Sequence, residues 1–179
     1  MGRIIVVYGL IAGVLVAVLM LLAFTLLPRD HGPIGVFVGF LNMFIALSMV
    51  LVGIKQYRDQ HQGGVITFKR GFLVGLGVAM IAALFYVLAW ETYLAVTGLD
   101  FMGEYVAAQL DRARERGASA AELAQMAAKA EADKAAYANP VIRMAWTFVE
   151  IGPVALLVTV VSALLLKNPR FLPARTAAA

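Results

Sequence analysis

Two glutamates stand inside otherwise apolar stretches of this sequence, and they are the side chains most able to carry chemistry. Glu91 interrupts the run that begins at Gly71, and Glu150 interrupts the run that ends at Leu166. If these runs cross a bilayer, each charge costs about 2.5–3.5 kcal/mol on insertion scales and is expected to face a partner or a cavity. Carboxyl groups in such positions bind small solutes or relay protons.

Further polar residues lie in the apolar runs and could contact these glutamates. Arg143, Thr147 and Glu150 recur at i, i+4 and i+7, which places them on one face of a helix. Asn42 lies within another apolar run, and we expect it to join an intramembrane polar cluster with Glu91, Glu150, Arg143 and Thr147. Two interpretations stay open. The cluster binds or relays a small solute or protons, or it is neutralised internally and locks the helices together.

Pro153 follows Glu150 closely within the same run. Proline has no backbone N–H, and its ring crowds the carbonyl four residues earlier, here that of Val149. The sequence therefore predicts a kink beside Glu150.

Known catalytic patterns are missing from the sequence. There is no cysteine, so thiolate zinc sites, iron–sulfur clusters and thiol nucleophiles are excluded. The histidines, His31 and His61, have no partner at metal-ligand spacing, and no phosphate-binding glycine motif occurs. We expect a protein that is not an enzyme, with no catalytic residue, cofactor or metal.

Composition identifies the elements that must position these side chains. Of 179 residues, 62% are hydrophobic and 15% are charged, whereas soluble domains average roughly 45–50% and about 25%. A run of about 20 apolar residues spans a bilayer as a helix. The sequence predicts an all-α integral membrane four-helix bundle, with transmembrane spans at about 4–27, 34–54, 71–97 and 139–167.

The orientation of the spans follows from their basic flanks. Counting charges close to the spans, one side holds eight Lys and Arg and the other holds Arg29 and Arg143. The eight are Arg3, Lys55, Arg58, Lys69, Arg70, Lys167, Arg170 and Arg175. Cytoplasmic flanks are enriched in these residues, so both termini, including the tail at 168–179, are predicted to be cytoplasmic.

Residues 98–138 form the one substantial segment outside the spans. Asp100 is a candidate N-cap, Gly117 is a candidate C-terminal stop, and Ser119 with Glu122 has the form of a capping box. We predict an extracytoplasmic helical hairpin between the third and fourth spans, which serves as a solvated connector or presents a surface to a partner.

Glycines and aromatic residues form further patterns. Small residues four apart let helices approach closely in lipid, and three GxxxG pairs are candidate helix-packing sites: Gly9 and Gly13, Gly35 and Gly39, and Gly71 and Gly75. These pairs serve contacts within the chain or a dimer face. Tyr86, Trp90 and Tyr93 form an aromatic stripe, joined by Trp146, which interfacial anchoring explains; a ligand cage is the alternative.

An ordered set of short segments resembles the DUF4199 family of uncharacterised bacterial multi-pass membrane proteins. The segments are GIKQYRD at 53–59, GGVITF at 63–68, WETY at 90–93, DFM at 100–102, YANP at 137–140 and TFVEIGPV at 147–154. Ala155 departs from the glycine expected after Pro-Val. The resemblance implies a membrane protein, supplies no catalytic residues and marks Glu91, Glu150 and Pro153 as family features.

These observations bound the function to a membrane role. We expect a non-enzymatic component of the cell (inner) membrane that binds a partner or organises an assembly. The expected partners are membrane lipids and a protein partner or a second copy of the chain, and nucleic acid is excluded. The alternative is a small transporter or proton-coupled carrier that uses the intramembrane carboxylates.

Overall fold

The computed structural model describes residues 1–26 and 33–174, and its elements in this part of the chain are helices, with no strand. The six helices are α1 (Gly2–Leu26), α2 (Pro33–His61), α3 (Phe68–Thr97), α4 (Phe101–Glu115), α5 (Ala120–Tyr137) and α6 (Pro140–Lys167). Arg29, His31 and Arg175, which the sequence analysis singled out, lie outside the described residues.

Four of these helices, α1, α2, α3 and α6, are long and apolar enough to cross a membrane. Two of them extend beyond the apolar runs. Helix α2 continues past Ile54 to His61, where Lys55 and Asp59 pair one turn apart at 2.5 Å. Helix α3 begins at Phe68, before Gly71, because the Thr67 side chain caps its first turn. A helix end depends on such local bonds, whereas an apolar run ends at the first charge.

Local capping positions the shorter helices as the sequence predicts. The Asp100 side chain accepts a hydrogen bond from the Gly103 N–H at 3.0 Å and starts α4. Ser119 and Glu122 form the predicted capping box at the start of α5. Gly117 lies in the connection between α4 and α5 with a φ of 81°, a left-handed conformation that glycine adopts without strain. The predicted caps are confirmed, because each depends on residues within one turn.

Helices α1 and α3 run parallel and interlock at four-residue intervals. A β-carbon built on Gly9 would lie 2.7 Å from Cβ of Ile81, and one built on Gly13 would lie 2.6 Å from Cγ of Phe85. One turn earlier the relation is reversed, and Gly77 of α3 accommodates Ile5 of α1. Small residues thus let these two backbones approach closely.

Helices α3 and α6 run antiparallel, so that the start of α3 lies beside the end of α6. Gly71 lies against Ala163, and one turn further along α3 a β-carbon built on Gly75 would lie 3.0 Å from Cγ2 of Thr159. Helix α2 packs against α1, α3 and α6, while α4 packs on α5 and α5 on α6. This register decides which polar residues of α3 can meet those of α6.

Candidate functional site

The predicted polar cluster divides into two separate places. At the first, Glu91 of α3 and Arg143 of α6 form a two-pronged ion pair, with Nε to Oε1 at 2.7 Å and Nη2 to Oε2 at 2.5 Å. Both side chains are largely buried, and Arg143 also donates to the Tyr137 carbonyl at 3.3 Å. Each charge thus has its counter-charge within the protein, and the two hydrogen bonds link α3 to α6.

At the second place, Asn42, Thr147 and Glu150 line a cavity of about 400 Å³, which we call the Glu150 cavity. Glu150 is the eleventh residue of α6, about 15 Å along the helix axis from its start, a distance equal to about half the hydrocarbon thickness of a bilayer. Neither Glu91 nor Arg143 lines this cavity. The expected five-residue cluster is therefore an ion pair and a cavity.

Two of the polar residues at the cavity bond to nearby backbone. The Asn42 amide donates to the Leu19 carbonyl at 3.2 Å, and the Thr147 hydroxyl donates to the Arg143 carbonyl at 3.0 Å. Glu150 is exposed to the cavity, and its polar neighbour is the hydroxyl of Tyr86. Of these three side chains, Glu150 is thus the one that presents an ionisable group to the cavity.

Residues of all six helices line the Glu150 cavity. They belong to the C-terminal parts of α1 and α3 and the N-terminal parts of α2 and α6, with α4 and the end of α5 across one end. Eight of the lining residues are aromatic: Phe24, Phe40, Tyr86, Trp90, Phe101, Tyr105, Tyr137 and Trp146. The cavity is mainly apolar.

Ring contacts connect six of the aromatic residues into a wall: Phe24, Trp90, Phe101, Tyr105, Tyr137 and Trp146. Trp90 is buried, donates its indole N–H to the Tyr137 hydroxyl at 2.8 Å, and packs edge-on against Phe101 with ring centroids 4.9 Å apart. Phe24 of α1 lies 5.0 Å from Trp90, and Trp146 of α6 lies 5.9 Å from Tyr137. Trp90 is therefore an interior residue, and interfacial anchoring does not describe it.

The three glycine pairs have different surroundings. Gly9 and Gly13 lie at the close approach of α1 to α3, and Gly71 and Gly75 lie where α3 meets α6. Gly35 and Gly39 instead line the Glu150 cavity, and in the described structure a β-carbon built on either would meet no heavy atom within 4 Å. The same spacing serves helix packing in two pairs and leaves open space in the third.

Helix α6 continues through Pro153 without interruption. The kink at this position stays a prediction, since continuity of the helix is compatible with a bend. Pro153 lies three residues after Glu150 and is not among the residues that line the cavity.

One buried charge is not apparent from the sequence. Arg58, which has the position of a flanking residue of the second span, is fully buried. Its guanidinium pairs with Asp59 at 2.7 Å and donates to the carbonyls of Phe171 and Leu172, the former at 2.9 Å. Arg58 therefore attaches the chain after α6 to the end of α2. The signal in the sequence was the adjacent Asp59, which offers a partner without indicating burial.

Metal ligation has no support within the described residues, where no group of three or more His, Asp or Glu side chains could hold an ion.

Comparison with known proteins gives a family. The model described as a protein of unknown function, DUF4199, matches residues 7–168. The chain belongs to the DUF4199 family. The resemblance seen in the sequence is thereby confirmed, and the matched range contains the whole Glu150 cavity of this DUF4199 protein. Neither the curated proteins nor the solved structures gave a match.

Proposed function

We propose that this DUF4199 protein is a non-enzymatic, multi-pass membrane protein that binds a small apolar or amphipathic molecule in the Glu150 cavity. The observation that carries the proposal is a cavity of about 400 Å³ with aromatic walls and one exposed carboxylate. Small-molecule sites have volumes of about 300–1,000 Å³, apolar walls and few polar groups. A dry, fully packed interior would have favoured a purely assembling role.

The proposed setting is the bacterial inner membrane. Helices α1, α2, α3 and α6 form the transmembrane four-helix bundle, α4 and α5 form the extracytoplasmic hairpin, and both termini are cytoplasmic. Large apolar side chains on the outer surface support this arrangement, among them Leu10 and Val149, which are 43% and 66% exposed. Membrane lipids cover this surface, which is also where a protein partner or a second copy would bind.

Labelling of single cysteines tests this arrangement, because the chain has no native thiol. Ala124 on α5 and Gln60 at the end of α2 are both exposed. In intact cells, a membrane-impermeant maleimide should modify Ala124→Cys and should modify Gln60→Cys only after permeabilisation. The reverse pattern would overturn the orientation.

Binding in the cavity can be followed through the two tryptophans of the chain, Trp90 and Trp146, since both line it. We expect 6-bromohexanol, whose bromine quenches tryptophan on contact, to quench the protein saturably in nanodiscs of zwitterionic lipid. Gly39→Phe places a ring in the open space of the cavity and should abolish the saturable component.

Leu10→Phe is the matched control, because it adds the same ring to the outer surface of α1. It should retain saturable quenching. Quenching that rises only in proportion to the probe, equally in all variants, would show partition into lipid and would refute the proposal.

The second candidate is a small proton-coupled carrier, favoured by the position of Glu150 in the cavity near half depth. In proteoliposomes with an internal pH dye, a carrier would move protons when a cationic form of the bromohexyl probe is added, and Glu150→Gln would stop that movement. A binding protein would saturate with the probe and leave the internal pH unchanged.

A further inference from the structure

The Glu150 cavity contains a single formal charge. Among its described lining residues, Glu150 is the one acidic side chain, and no Lys, Arg or His is present. The Asn42 and Thr147 side chains donate to backbone carbonyls, and the uncharged hydroxyl of Tyr86 is the polar neighbour of the carboxylate. The electrostatic character of the cavity therefore depends on Glu150.

The two intramembrane glutamates differ in whether the protein supplies a counter-charge. Glu91 has Arg143 at 2.5 Å, whereas no ion pair within residues 1–26 and 33–174 involves Glu150. A carboxylate in an apolar cavity without a counter-charge is costly, because the low dielectric does not replace the hydration it loses. A cationic ligand would supply the missing charge.

The walls of the cavity suit the same kind of ligand. Tyr86, Trp146 and Tyr137 line it together with Glu150, and the faces of aromatic rings attract ammonium groups, most strongly where water is excluded. The cavity is also lined by apolar side chains of α1 and α2 that suit an alkyl chain, namely Val16, Met20 and Met43.

We propose that the Glu150 cavity binds an amphipathic organic cation, with its ammonium group between the Glu150 carboxylate and the aromatic wall and its apolar part against α1 and α2. This inference rests on the proposed function and names the ligand class of the same site. Charge complementarity selects a cation over an anion, and the apolar lining selects an amphiphile over an inorganic ion.

Three probes that share one bromohexyl chain test the inference in the same tryptophan-quenching experiment. They carry a trimethylammonium, a hydroxyl or a sulfate group at the other end. In zwitterionic nanodiscs we expect the trimethylammonium probe to bind at least tenfold more tightly than the alcohol, and the sulfate to bind most weakly.

Variants identify the source of this preference. Glu150→Gln should bring the cation to the affinity of the alcohol while the alcohol still binds, which also shows that the variant is folded. Glu150→Asp keeps the charge and should retain part of the preference. Glu131→Gln is the control, because it removes one exposed acidic charge on α5, outside the cavity.

The outcomes separate the two proposals. Equal binding of cation and alcohol to the wild type, or a cation preference that survives in Glu150→Gln, refutes the ligand class while the cavity remains a binding site. If none of the three probes quenches the wild type saturably, the proposed function itself is refuted.

Discussion

Substituting Gly13 by alanine should destabilise the protein, because the new methyl group has no room between α1 and α3. The added Cβ would lie 2.6 Å from Cγ and 2.8 Å from Cβ of Phe85, whereas ordinary contacts begin at 3.4 Å. A shift of about 0.8 Å is needed at the closest contact. Rotating the Phe85 ring gives little relief, since its Cβ is also too close, so the helices themselves must separate.

The size of the effect follows from a comparison with Gly39→Ala. Overpacking costs about 1–3 kcal/mol, and replacing glycine by alanine within a helix returns about 1 kcal/mol in either variant. Gly39 faces open space in the described structure, so Gly39→Ala should be stabilised by up to that amount. The helix-propensity contribution cancels in the difference, and Gly13→Ala should be less stable than Gly39→Ala by about 1–3 kcal/mol.

The assay is unfolding in mixed micelles by a denaturing detergent, followed by helical circular dichroism on both variants and the wild type. We expect the unfolding free energy to be highest for Gly39→Ala, intermediate for the wild type and lowest for Gly13→Ala. If Gly13→Ala proves as stable as Gly39→Ala, the close approach of α1 to α3 and the register derived from it are incorrect.

Three further changes test other parts of the structure. Glu91→Gln should lower the unfolding free energy by about 2–3 kcal/mol, less than a fully buried pair would lose, and the double variant with Arg143→Gln should lose less than the sum of the two single variants. Thr159→Val should raise the unfolding free energy by about 1 kcal/mol in the same assay, because the buried Thr159 hydroxyl has no hydrogen-bond partner within the described structure; a loss would show that this hydroxyl is satisfied. The hydrogen bond from Lys134 holds the pKa of Asp100 below its ordinary value of 3.8, so this pair stabilises α4 and α5 above that pH and is lost as the pH falls through the lowered pKa. Asp100→Asn retains the cap and should remove this acid dependence of helical content, and an unchanged pH profile would contradict the pairing.

Features that depend on neighbouring residues were predictable from the sequence. The caps formed by Asp100 and by Ser119 with Glu122 lie where predicted, because each closes hydrogen bonds within one helical turn. The apolar runs likewise correspond to the four long helices. About 20 apolar residues are needed to cross a bilayer, and a segment in lipid must form its backbone hydrogen bonds internally, as a helix does.

The division of the polar residues was not predictable. Sequence spacing placed Arg143 and Glu150 on one face of α6, but it contains no information on the register of α6 against α3. That register pairs Arg143 with Glu91 and leaves Glu150 two turns away at the cavity. Only the packing of α3 against α6 shows that Glu150, and not Glu91, lacks a cationic partner within the described residues.

The glycine pairs show the same limit most directly. The residue pattern alone predicts four apolar helices, the caps of the two shorter helices and two carboxylates inside the apolar runs. Tertiary structure alone decided that Gly9 and Gly13 meet α3 while Gly35 and Gly39 border open space, and that Glu150 faces an aromatic cavity. The reason is physical: a helix and its caps depend on residues within a turn, whereas a cavity is the space left between helices distant in the chain.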